Sequence, residues 1–108
     1  MPPPVIAAAP PFVAYSTATR ARIPTLRWGD VYASLQALKG HVQEYPGCQR
    51  FDAFVDTVGD YVWIDVYTTW DTADQAEIYL ERGYTFERML ADLGLATIER
   101  SERMEKIF

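Results

Sequence analysis

Residues 48–57 and 60–69 alternate apolar and polar side chains on either side of Val58-Gly59, the pattern of a β-hairpin. A loop symmetric about Val58-Gly59 makes paired residue numbers sum to 117. One face then carries Val55/Val62, Ala53/Ile64 and Phe51/Val66 and is uniformly apolar. The other carries Asp56/Tyr61, Phe54/Trp63, Asp52/Asp65, Arg50/Tyr67 and Cys48/Thr69. A slip to a sum of 116 sets Asp52 against Ile64 and mixes the faces, so the pattern favours 117. Valine is poorly suited to a two-residue turn that needs positive φ, which points to a four-residue loop, Thr57–Asp60, with the same sum.

The rest of the chain supplies the cover such a sheet needs. Phe12–Ile23 is β-prone, and the spacing predicts a first strand over roughly 12–20, interrupted by Pro24. Trp28, Val31, Tyr32, Leu35, Leu38 and Val42 follow in steps of three and four, one apolar stripe along a helix. Asp30 is its expected N-cap and Pro46-Gly47 its stop, with Gly40 inside it costing about 1 kcal/mol relative to alanine. Asp71 or Thr72 caps a second helix through Arg82, and Gly83 breaks it. Phe86, Met89, Leu90 and Leu93 form a short third stripe before Gly94. The last segment, from Ala96, is read as a strand from its place in the order β-α-β-β-α-α-β, an α+β sheet with helices on one face. Residues 1–11 hold five of the seven prolines and read as an extended arm, which leaves 12–108 as the domain.

Composition narrows the function classes. A net charge of -5 argues against a nucleic-acid or anionic-membrane partner. No apolar run approaches the ~18 residues of a membrane span, and the start has no basic region of the kind a secretion signal carries. A single cysteine, Cys48, allows no internal disulfide and makes a reducing cytoplasm the default compartment. With one histidine, His41, the chain offers too few soft ligands for a structural zinc, so no metal site is expected.

Tyr45-Pro46-Gly47-Cys48, the hairpin ending in Thr69-Trp70-Asp71, and amphipathic Ala76–Leu80 followed by Tyr84-Thr85-Phe86 resemble the antibiotic biosynthesis monooxygenase-like group. The resemblance covers roughly residues 11–108. It implies a ferredoxin-like βαββαβ antiparallel sheet with helices on one face, dimerising into a dimeric α/β barrel. It also implies a cofactor-independent monooxygenase-like enzyme acting on a small aromatic or quinol-type molecule. The alternative is a non-catalytic small-molecule-binding or structural member of the group. Haem-degrading relatives place an Asn, a Trp and a His where this chain has Ser16 or Thr17, Tyr79, and Met89 or Leu90. Relatives that oxidise polycyclic phenols place an Asn and a Tyr where this chain has Val66 and Ala76, although Trp70 matches.

Several constellations are candidate sites. Asp52 and Asp65 face each other in the inferred register, so one carboxyl is a candidate acid or base, unless Arg50 neutralises the pair. Trp63, Phe54, Tyr61 and Tyr67 share that face, which points to a covering second subunit, hence a homodimer. Trp70, Thr68 and Gln49 fall on the helix-facing side, where Tyr32, Tyr79 and Met89 meet them as candidate ligand contacts for a planar phenol or quinone. The competing reading is a core whose Trp and Tyr have found backbone partners. His41 is a weak catalytic candidate within the first helix.

Overall fold

The computed structural model describes residues 14–95 and 98–106. The arm, residues 1–11, lies outside them. The elements are β1 (Tyr15–Pro24), a 3-10 turn (Thr25–Arg27), α1 (Trp28–Gln43), β2 (Cys48–Val58), β3 (Tyr61–Trp70), α2 (Ala73–Arg82), α3 (Phe86–Asp92) and β4 (Ile98–Glu105). The strands form one antiparallel sheet in the order β2-β3-β1-β4. This is the expected ferredoxin-like βαββαβ arrangement, with its second helical region split into α2 and α3. The sheet is open, with β2 and β4 at its edges. No described helix is long and apolar enough to cross a membrane.

The first strand runs four residues past its expected end at 20. Pro24 finishes it opposite Tyr61, a terminal position where a missing N–H breaks no interior ladder. Helix α1 starts at Trp28, so Asp30 is not the N-cap; it lies in the first turn and takes a 3.3 Å hydrogen bond from Arg27. There its charge still faces the positive end of the helix dipole. Val31, Leu35, Leu38 and Val42 of the stripe are buried, but Tyr32 is 51% exposed on the flank. Thr72 and Thr85 cap α2 and α3, accepting from the amides of Gln75 and Arg88 at 3.2 Å each.

The hairpin register differs from the expected one. The turn is Gly59-Asp60, and Val58 pairs with Tyr61, Val55 with Ile64 and Ala53 with Val66. Gly59 takes the positive φ, +61°, at the first loop position, which leaves Val58 in the strand. A two-residue shift preserves which face every side chain occupies and changes only its partner. Asp52 therefore stands opposite Tyr67, and Asp65 opposite Phe54; the two carboxylates do not face each other.

The helix-facing side of the sheet holds Ala21 and Ile23 from β1, Phe51 from β2, and Val62, Ile64, Val66 and Trp70 from β3. Against them pack the α1 stripe, Ala76 and Tyr79 of α2, and Phe86, Met89 and Leu90 of α3. On the opposite side Phe54 is 59% exposed, and Arg20 and Arg22 lie 4.5 Å over the rings of Trp63 and Tyr61.

Candidate functional site

A cavity of about 170 Å³ lies between the β1–β3–β4 part of the sheet and the α2–α3 layer. Its walls include Thr17, Thr68, Tyr79, Phe86, Arg88 and Arg103. Period-two alternation puts Thr17 on the same face of β1 as Ala21 and Ile23, and Thr68 on the same face of β3 as Val66 and Trp70. Strand pairing then sets Thr17 directly opposite Thr68.

Behind this wall the fully buried Trp70 stacks on Tyr79, with ring centroids 4.9 Å apart and planes inclined by 27°. Its indole N–H donates to Thr68 Oγ1 at 2.8 Å, and Thr68 is hydrogen-bonded to Thr17 Oγ1. Tyr79 donates its hydroxyl to the Tyr84 carbonyl at 2.9 Å. Gly83 makes that approach possible, because a Cβ there would lie 2.5 Å from Tyr79 Cδ1. The Arg88 guanidinium donates to the carbonyls of Leu80, Glu81 and Gly83, tying the last turn of α2 to α3. Arg103 is held by Glu77 at 2.6 Å.

Burial, with a lesser contribution from nearby Cys48, pushes the Tyr79 phenol well above the usual tyrosine range. Tyr79 is thus a neutral donor and ring wall rather than a base. Folding binds this proton more tightly than the unfolded chain does, whose tyrosines ionise near pH ~10. The contribution is complete below that pH and declines as pH rises toward the folded-state value. Denaturant melts in alkaline buffer should show stability falling above pH ~10, and the fall should be shallower in Tyr79→Phe. An identical alkaline slope in the variant would remove Tyr79 as its source.

The sequence-derived candidates separate into distinct places. Trp70, Tyr79 and Thr68 come together. Met89 is buried in the core under α3. Gln49 sits at the bulge between Cys48 and Arg50, exposed, with its amide on Asp71 at 2.7 Å. Tyr32 lies in a groove between α1 and β2 with Trp28, Phe51 and Val55. His41 is exposed, and its Nε2 accepts the Tyr84 amide at 3.2 Å, which anchors the α2–α3 junction to α1. Asp52 pairs with Arg50 at 3.2 Å and Asp65 with Arg20 at 3.6 Å, both away from the cavity on the helix-free face. Among the described residues, no group of three His, Cys, Asp or Glu side chains is placed to hold a metal. Thr17 and Arg88 are among the cavity residues that the sequence did not single out as contacts. The alternation of β1 carried a signal for Thr17, whereas Arg88 becomes visible only once α2 and α3 are packed.

No protein-family model matches the chain, and no curated protein matches it. Solved structures do. A Nitrosomonas europaea protein described as a candidate antibiotic biosynthesis monooxygenase matches with a TM-score of 0.67 at 17% identity, over 92% of this chain and 93% of its own. A Chloroflexus aurantiacus protein of the same description matches at 0.62 and 18% identity, over 88% of this chain and 94% of its own. A Mycobacterium tuberculosis protein matches at 0.67 and 11%, over 88% and 96%. At such identities the likeness is one of fold: the chain has the fold of the antibiotic biosynthesis monooxygenase-like proteins.

Proposed function

We propose that the cavity beneath α2 and α3 binds a small aromatic or quinol-type molecule, and that the chain is a cofactor-independent monooxygenase-like enzyme. The observation that carries this reading is the cavity itself, hydroxyl-lined on the sheet side and walled by the ring of Tyr79, which Trp70 backs. Its 170 Å³ is the right scale for a single ring, since an apolar cavity of about 150 Å³ admits benzene. In such chemistry the substrate supplies the electrons. A quinol gives up two hydrogens and takes one oxygen atom from O₂, and the second oxygen leaves with those hydrogens as water.

A second reading has its own support. Tyr79 is held neutral, and His41, Asp52 and Asp65 lie outside the cavity, so none of the proposed acids and bases lines it. A binding protein without turnover needs none. Oxygen consumption on adding hydroquinone, lost in Trp70→Phe, supports the enzyme. Saturable hydroquinone binding at one per chain with no oxygen uptake selects the binding protein.

The proposal includes a homodimer. Phe54, Tyr61 and Tyr67 are 59%, 44% and 37% exposed on a sheet face that no described helix covers, beside Trp63. Apolar surface of this kind on an isolated domain favours pairing with a like face. Light scattering on a dilute sample should give twice the chain mass of 12.3 kDa. Phe54→Lys should shift the population toward monomer. A monomer mass for the unaltered chain excludes this assembly.

A further inference from the structure

Trp70 has a single polar atom, its indole N–H, and that group is spent on Thr68 Oγ1. Thr68 and Thr17 own two hydroxyl protons between them and use one in the bond they share. One proton is therefore left for a third group. Both hydroxyls line the cavity, and with Thr68 donating the chain runs from Trp70 through Thr68 to Thr17 and leaves the free proton on Thr17. Trp70, Thr68 and Thr17 are 0%, 3% and 7% exposed, and the two threonines line the cavity, so that proton points into it. A chain that begins in a pure donor is polarised outward, because each hydrogen bond accepted makes the next hydroxyl a stronger donor.

We infer that Thr17, backed by Thr68 and Trp70, is the hydrogen-bond donor that holds the anionic oxygen of the bound aromatic, the phenolate of a phenol or the monoanion of a quinol. The inference rests on the reading of the cavity as an aromatic site and names the ionisation state it selects. Two arginines, Arg88 and Arg103, and two glutamates, Glu87 and Glu102, line the same cavity, so their charges offset and the hydroxyl chain sets the preference. A donor held in a fixed position stabilises an oxyanion more than it does a neutral hydroxyl. The phenolic proton leaves to solvent water. The ring that remains is the electron-rich form that gives electrons to oxygen.

The test uses para-nitrophenol, whose absorbance separates phenol from phenolate, and neutral nitrobenzene as a ring of similar shape. With pH held near the probe's own pKa, the unaltered protein should bind para-nitrophenol with the phenolate enriched. Thr17→Val, close in shape, should weaken phenolate binding about tenfold, as expected for one lost hydrogen bond to a charged oxygen, and leave nitrobenzene binding unchanged. Thr17→Ser should restore the preference. Thr68→Val should lose part of it, with thermal melts checking that each variant is folded. Equal phenolate enrichment in folded Thr17→Val overturns the inference while the aromatic site stands. If neither probe binds the unaltered protein, the aromatic site and the inference fall together.

Discussion

Replacing Trp70 with alanine should lower the free energy of unfolding by about 3–5 kcal/mol, a large part of what a domain of this size has. The indole is fully buried and stacked on Tyr79, so truncation leaves a void beneath β3 and strips Tyr79 of its face contact. Trp70→Phe divides this loss into its parts. It keeps a six-membered ring but removes the N–H that Thr68 accepts and part of the indole's volume, so it should cost about 1–3 kcal/mol. If Trp70 also serves the cavity, Trp70→Phe should weaken binding of an aromatic ligand beyond what unfolding explains. Denaturant melts and ligand titration on the same preparation separate the two contributions. Unchanged stability together with unchanged binding would exclude Trp70 from both roles.

The second large effect is a pair of glycine substitutions with opposite signs. Gly83→Ala places a Cβ 2.5 Å from Tyr79 Cδ1 and 2.7 Å from the Tyr79 carbonyl oxygen. The ring can move aside, but the carbonyl cannot, because it accepts the Gly83 amide that closes α2. The overpacking should cost about 1–3 kcal/mol. Gly40→Ala lies within α1 with nothing within 4 Å of its added Cβ, so it should stabilise by about 0.5–1 kcal/mol. Thermal melts of the two variants check the contrast. A Gly83→Ala protein as stable as the unaltered chain would mean that the α2–α3 junction relaxes freely.

Much of the fold was legible because its two periods do not imitate each other. Steps of three and four from Val31 to Val42 fit only a helix, and the alternation from Cys48 to Trp70 fits only strands. Alternation also assigned the hairpin residues from Arg50 on to their correct faces, whereas the bulge between Cys48 and Arg50 turns Cys48 to the Trp70 side. The alternation could not place the turn, because moving the register by two leaves the pattern intact; the backbone preference of Gly59 decided that. The error had chemical consequences, since the proposed Asp52–Asp65 pair depended on the turn's position. In the site, Trp70 and Tyr79 were legible from their places at a strand end and on a helix face. For Thr17 alternation marked only its face, since its place beside Thr68 depends on β1 lying beside β3, a pairing between segments far apart in sequence. His41, a weak catalytic candidate in the sequence, is in the structure an anchor whose ring nitrogen is occupied by a backbone amide.

The sheet order sets a sequence of events for the folding chain. β1 is an inner strand whose one neighbour is β3 and whose other is β4, the last strand of the sheet. Tyr15 pairs with Glu105, so half of β1's hydrogen bonds wait for residues near the far end of the sequence. Closing so long a loop is slow and comes after the local hairpin and helices have formed. On the ribosome, β1 would stay open along one side until β4 had emerged. Every residue of β4 is exposed, and its alternating Arg and Glu side chains bring little apolar surface to the encounter. The strand that completes the sheet is thus held largely by its backbone ladder, and it is the first part that local unfolding should release.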